Sequence, residues 1–141
     1  MDITFLPSKD LEKAATFTFE NMRVYYEQFA PDWNASKVLE VTSSLENYDI
    51  LYHKEVVGVM RLQFENECCI LRDLQVVATA QNKGIGYAAL QEAKKRTLQA
   101  NLNKLALRVF KVSPAVNLYK RNGFTIQSED DRFYNMEVEV G

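Results

Sequence analysis

The sequence predicts an α/β fold, a mixed and mostly antiparallel central sheet flanked by helices in the order β-α-α-β-β-β-α-β-α-β-β. Three observations predict it. An apolar strand passes through a glycine turn into an amphipathic helix at Val76-Val77-Ala78-Thr79-Ala80-Gln81-Asn82-Lys83-Gly84-Ile85-Gly86-Tyr87. Three extended segments with short polar breaks precede that junction, as in an antiparallel meander. A strand, a short helix and a closing pair of strands follow it.

The elements are justified in order. Ile3 to Leu6 suits a short strand. A helix starts after Pro7, with Ser8 as its cap, and Leu11, Ala14, Ala15, Thr18, Met22, Tyr25, Tyr26 and Phe29 recur at helical spacing until Pro31 ends it. A second helix, from about Ala35 to Leu45, presents Val38, Leu39, Thr42 and Leu45 on one side. Tyr48 to His53, Val56 to Phe64 and Cys68 to Val77 read as strands, divided by Lys54-Glu55 and Glu65-Asn66-Glu67. The central helix runs from Gly86 to about Ala100, with Leu90, Ala93 and Thr97 inward and Lys94, Lys95 and Arg96 toward solvent and the negative helix end. Leu105 to Phe110 is a strand, Ala115 to Arg121 a short helix, and Phe124 to Gln127 with Phe133 to Val140 a closing pair.

Composition bounds the function. The 141 residues suit one domain, 1–141, and 47% hydrophobic with 11% aromatic residues can fill one core. A formal net charge of -2 gives no global basic field, which disfavours nucleic acid as a partner. No apolar run approaches the ~20 residues of a membrane span. Met1-Asp2-Ile3-Thr4 lacks the layout of a secretory signal, so a cytoplasmic location is expected and no membrane. Cys68 and Cys69, adjacent in a strand, point to opposite faces and read as reduced packing residues. With one distant histidine they make no metal site, and none is expected.

The glycine segment carries chemistry. With no side chains at Gly84 and Gly86, an anion can approach the backbone, while the first amides of the new helix point at it and Lys83 adds a cation. The pattern G-x-x-x-x-G-K-[ST] is absent. A dinucleotide reading of Gly84 to Ala89 would want an acid on the next strand, and Leu105-Ala106-Leu107-Arg108-Val109-Phe110 has none. A nucleotide-binding oxidoreductase is thereby disfavoured.

Gln81-Asn82-Lys83-Gly84-Ile85-Gly86 resembles the acetyl-CoA-binding signature [Q/R]-x-x-G-x-[G/A] of the GNAT N-acetyltransferases. Downstream, Pro114-Ala115-Val116-Asn117-Leu118-Tyr119-Lys120-Arg121-Asn122-Gly123-Phe124 is similar to that family's N-P-A-x-x-L-Y-x-x-x-G-F segment, with Ser113 in place of the asparagine that often begins it. The element order is also the family's. The resemblance implies a GNAT-like sheet with a splayed parallel strand pair, formed by the strand ending at Val77 and the one beginning near Leu105. It implies acetyl-CoA as cosubstrate, held by the main chain of Leu74, Val76 and Val77, by the amides of Gln81, Asn82, Lys83, Gly84, Ile85, Gly86 and Tyr87, and by Ser113, Asn117 and Tyr119. The implied activity is transfer of an acetyl group to a primary amine by direct attack in a ternary complex, with an oxyanion donor near Val76. A domain that binds or senses acyl-CoA without catalysis is the alternative.

On this resemblance Tyr119 is the acid for the leaving thiolate, against a plain packing tyrosine, and Asp73 is the nearest carboxylate for the base. Asp73 has a bland alternative, pairing with Arg72 or Arg108 or facing solvent. Glu27 is a weaker candidate, an ordered water relaying the proton needs neither, and His53 reads as a surface residue. In the family, acceptor choice comes largely from the first helices and their loop. Here Tyr25, Tyr26 and Trp33 stand among acids, which suits a cationic or amphipathic amine unless these rings are simply core. Whether the acceptor is a small molecule or a protein stays open, and a homodimer is compatible with the reading.

Overall fold

The computed structural model describes residues 2–141, so Met1, part of the amino-terminal reading above, lies outside the described residues. Local chemistry sets most boundaries. After β1 (Ile3–Pro7), helix α1 (Leu11–Asn21) starts at Asp10, whose extended backbone lets its carboxylate accept from Lys13 N at 3.0 Å. The expected cap, Ser8, instead donates its hydroxyl to Asp49 Oδ1 at 2.8 Å. The single helix expected through Phe29 is two: Met22, at φ -102° and ψ 8°, separates α1 from α2 (Arg23–Phe29). Apolar spacing continues across Met22, so periodicity alone does not show the break. Burial does: Ala14, Ala15 and Thr18 are buried on α1, and α2 buries none of its residues.

Helix α3 (Ala35–Thr42), capped by Asn34, packs on α1 and leads into β2 (Glu46–Tyr52). His53 and Lys54, at φ 51° and 69°, form the hairpin turn to β3 (Glu55–Phe64), one residue earlier than the polar break expected. Then follow β4 (Cys69–Val76), a 3₁₀ turn at Ala78–Ala80 that the periodicity does not reveal, and α4 (Ile85–Gln99). Strand β5 (Lys104–Phe110), α5 (Ala115–Arg121), β6 (Thr125–Glu129) and β7 (Phe133–Glu139) complete the chain.

The described strands form a mixed seven-stranded sheet in the order β1-β2-β3-β4-β5-β7-β6. The β1–β2, β5–β7 and β6–β7 pairs are antiparallel, and β4–β5 is parallel. The parallel register runs only from Cys69↔Leu105 to Leu71↔Leu107, although β4 continues to Val76 and β5 to Phe110. The splay expected of this pair is present as that short register.

By packing, the chain divides into two compact units: Met1–Arg61 with Asp73–Ile85, and Leu62–Arg72 with Gly86–Gly141. The first has a core of Ala14, Ala15, Val38, Ile50, Val59, Met60 and Ile85, together with the wholly buried Arg61. In the second, Leu90, Ala93 and Thr97 of α4 are fully buried, as their spacing predicts, with Leu62, Leu71, Leu105 and Met136. Lys94 departs from the expected solvent face, donating to the Asn122 carbonyl at 3.0 Å. Cys69 is buried and Cys68 half-buried, and neither is in a disulfide.

Candidate active site

In the first unit, β4 leaves its ladder through a loop of committed backbone. Val77 N–H donates to Val57 O at 2.8 Å and Val77 C=O accepts from Ala80 N at 2.9 Å. The Val77 N–H is therefore used inside the protein, and its carbonyl oxygen has one of its two lone pairs engaged. The Gln81 side chain reaches back to Val76 O at 3.0 Å and holds the loop's own shape. Asn82 at φ 62° and Gly84 at φ 80° shape the exposed Gln81 to Gly84 segment, in which Gln81 N–H already donates to Ala78 O at 3.3 Å. Lys83 Nζ lies 5.8 Å from the Tyr52 ring centre. The exposed Asn82 to Gly84 segment and the cation fit a phosphate group, while Ile85, 1% exposed, contributes its side chain to the core.

In the second unit, Gly86 has a packing duty. A Cβ there would come 2.9 Å from Leu118 Cδ2, so the missing side chain lets α4 lie close to α5. Tyr87 is exposed. Helix α5 fixes Tyr119 by the way it ends. Phe124 N–H donates to Tyr119 O and Gly123 N–H to Lys120 O, both at 3.1 Å, and Gly123 sits at φ 91°. This is the Schellman arrangement, and its usual apolar contact is here the edge-on packing of Phe124 against Tyr119, centroids 5.7 Å apart. The sequence Tyr-x-x-x-Gly-Phe thus states a geometry: the glycine supplies the left-handed turn and the phenylalanine buttresses the tyrosine, which is 7% exposed. Ser113 Oγ accepts from Ala115 N at 3.1 Å just before α5, and Asn117 is exposed.

Asp73 belongs to the first unit and pairs with neither Arg72 nor Arg108. Those arginines donate to Gln63 and Asp130. Its partner is Arg61 on β3, whose Nη1 donates to Asp73 Oδ2 at 2.7 Å. Gln75 Nε2 donates to Oδ1 at 2.6 Å, and the Leu74 backbone adds a third hydrogen bond. Burial pushes the Asp73 carboxyl above its ordinary range, against the downward pull of Arg61 and these donors. Gln75 Oε1 in turn accepts from Asn21 Nδ2 at 2.7 Å, which ties the end of α1 to β4.

The aromatics of the first helices form a column in the same unit. Tyr26 stacks on Phe19 at 5.7 Å and on Trp33 at 5.6 Å. Arg23 lies 5.2 Å over Phe19 and Lys37 lies 6.0 Å over Trp33. The cation positions at Phe19 and Trp33 are thus taken by the protein's own side chains. Tyr26 and Trp33 are half-buried, neither core nor free surface, as is Tyr25 on α2. The Tyr26 phenol is pushed up to about 12, first by burial and then by the charge of Asp73, so these two groups share one environment. Glu27 and His53 are exposed.

Sequence reasoning missed Arg61, Gln75, Asn21 and Phe19. One signal was available: an arginine inside the apolar run Val59-Met60-Arg61-Leu62 must be paired if that strand is buried. Gly58 was missed too. A Cβ there would fall well inside contact distance of the Gln75 carbonyl oxygen, so glycine is required where β3 approaches β4. Among the described residues no group of three or more His, Cys, Asp or Glu could hold a metal ion, and no helix is long and apolar enough to cross a membrane.

Comparison with known proteins adds a second line of observation. Residues 10–124 match the family described as acetyltransferase (GNAT) family. The acetyltransferase PseH of Campylobacter jejuni is 28% identical over 117 residues, 82% of this chain and 73% of that protein. The fold is similar to the PaiA N-acetyltransferase of Thermoplasma acidophilum, solved in complex with coenzyme A (TM-score 0.74, 19% identity, 99% of this chain and 100% of that one). It is also similar to a GNAT family acetyltransferase of Elizabethkingia anophelis with acetyl-CoA bound (TM-score 0.75, 18% identity, 98% of each chain).

Proposed function

The chain belongs to the GNAT acetyltransferase family, and on that premise we propose that it moves the acetyl group of acetyl-CoA to a primary amine by direct attack in a ternary complex. The observation that carries this reading is Asp73. Its carboxylate stands in β4 just past the last β4–β5 pair, ordered by three donors, with its side chain still 16% exposed. A primary amine is protonated at neutral pH and must lose a proton before it can attack, and Asp73 is the group that takes it. Acetyl-CoA, when bound, supplies the thioester. The exposed backbone of Asn82 to Gly84 and the Lys83 cation bind its phosphates. A backbone N–H near Val76 faces the oxygen on which charge develops. Tyr119, held by the turn that ends α5, gives the departing sulfur its proton. Tyr26 and Trp33 line the acceptor's approach.

The test is a screen of primary amines with acetyl-CoA, following released thiol, in wild type and in Tyr119→Phe. Thiol release with at least one amine is expected. The variant should turn over ~10²- to 10⁴-fold more slowly, the range of a general acid, with an unchanged CoA-induced rise in melting temperature. A melting rise with CoA and no thiol release from any amine would leave a binding or sensing domain instead.

A further inference from the structure

Four elements converge on one guanidinium that the reaction above does not yet use. Arg61 is 0% exposed. Its Nε donates to Asn47 Oδ1 at 2.6 Å, and its Nη1 donates to Thr18 Oγ1 and to Asp73 Oδ2, each at 2.7 Å. The atoms that hold it are themselves held. Thr18 Oγ1 donates to the Ala14 carbonyl at 3.0 Å, and Asn47 Nδ2 donates to the Thr42 and Leu45 carbonyls at 2.9 Å. A guanidinium fixed in this way cannot swing, so it sets the direction of the Asp73 oxygen bonded to it.

Stability is a poor reason for this arrangement. A buried ion pair loses in desolvation much of what it gains in attraction, and an apolar replacement of the same shape often serves as well. Here the loss is larger, because Arg61 Nη2 is buried and has no hydrogen-bond partner among the described residues. What the arrangement does provide is asymmetric: the arginine side chain is shut off from solvent at 0% exposure, while the carboxylate it orients keeps 16%.

We propose that Arg61 is a positioning residue for acetyl transfer, holding Asp73 in the orientation from which its carboxylate takes the acceptor's proton. This rests on Asp73 as the base. In the step, the ammonium proton moves to Asp73 and the freed nitrogen lone pair forms the N–C bond. The C–S bond breaks, its electron pair leaves on sulfur, and Tyr119 supplies that sulfur's proton. The newly bonded nitrogen gives up its second proton to solvent and becomes a neutral amide. Asp73 returns its proton to solvent, and Tyr119 is reprotonated from solvent, so one proton is released per turnover. The charged and titratable groups facing Asp73 are Arg61 from β3 and Tyr26 from α2. Polar neighbours are Gln75 on its own strand and, through Gln75 and Arg61, Asn21, Thr18 and Asn47.

The experiment compares Arg61→Met, Arg61→Lys, Thr18→Val and Asp73→Asn with wild type. It measures kcat and KM against pH with the amine returned by the thiol-release screen, and titrates the Asp73 carboxyl by carbon-13 NMR in the unliganded protein. Arg61→Met should lower kcat about 10²-fold, the scale of a displaced catalytic group, with KM for acetyl-CoA unchanged. Losing the cation should also move the acidic limb of kcat and the Asp73 titration to higher pH. Arg61→Lys keeps the charge without the fork: its limb should stay near that of wild type while kcat remains reduced. Thr18→Val, which frees one side of the guanidinium, should show a smaller loss in kcat. It decides the matter if the Arg61 variants do not fold.

Two results separate the failures. If Asp73→Asn turns over like wild type, the base assignment is wrong and the proposal falls with it. If Asp73→Asn is slow, yet Thr18→Val and every folded Arg61 variant keep wild-type kcat and pH limb and lose only melting temperature, Arg61 is structural and the base assignment survives.

Discussion

The glycine loop at Gln81 to Gly84 and the polar cluster around Arg61 lie in the same unit, and both adjoin the end of β4, but they are ordered by opposite means. Backbone torsions at Asn82 and Gly84 shape the loop, helped by one side chain, and it is exposed throughout. Side chains from α1, the start of β2, β3 and β4 order the cluster around a wholly buried guanidinium. A loop set by torsions should tolerate changes of side chain but not of φ. A cluster set by long-range hydrogen bonds should fail when any element carrying it is displaced.

The largest effect should come from displacing the strands that carry the cluster. Gly58→Ala places a methyl group against the Gln75 carbonyl oxygen, which is backbone and cannot swing aside. A loss of about 1–3 kcal/mol in unfolding free energy is expected, read as a lower urea midpoint. An unchanged midpoint would mean that β4 yields easily, and the contrast with the loop would collapse.

Next in size is the loop itself. Gly84→Ala must hold φ 80° with a side chain present, at a cost of roughly 1–2 kcal/mol. Relief of that strain by a different backbone would misplace the amides, so CoA should bind about tenfold more weakly by calorimetry. Equal CoA affinity with a lower melting temperature would remove the loop from the binding site.

The smallest effect is a pH dependence that sharpens the cluster side. The Tyr26 phenol titrates at about 12 in the folded protein, chiefly because it is buried and then because Asp73 is near, with Arg61 opposing. An unfolded tyrosine titrates near ~10, so between these values the unfolded state has lost a proton that the folded state keeps. The stabilising contribution is complete below pH ~10 and is lost as pH rises through 12. Urea midpoints should fall across that window in wild type and fall less in Tyr26→Phe. Asp73→Asn should lower the pH at which the Tyr26 absorbance at 295 nm changes, because a negative neighbour has gone.

How far the site was legible follows from the range of the forces. The Tyr119 segment was readable because its geometry is local: a helix end needs a left-handed residue, glycine supplies it, and the following phenylalanine covers the tyrosine. The glycine signature was readable for the same reason, yet Gly86 carried a meaning the motif conceals, since its missing side chain makes room for Leu118. The Ser8 cap was misread because two capping residues stand close together. Asp49, which takes the Ser8 hydroxyl, is 41 positions away.

By itself, then, the sequence determined the order of the strands, the glycine turn before α4 and the helix end that holds Tyr119. Each follows from periodicity, torsional preference or capping within a few residues. Only the tertiary structure decided that Asp73 answers to Arg61 rather than to Arg72 or Arg108, that Asn21 meets Gln75 across 54 positions, and that Lys37 lies over the Trp33 ring expected to face an amine. The reason is physical. A buried charge must find a partner, but it is the packing of whole elements, and no pattern along the chain, that settles which partner comes within hydrogen-bonding distance.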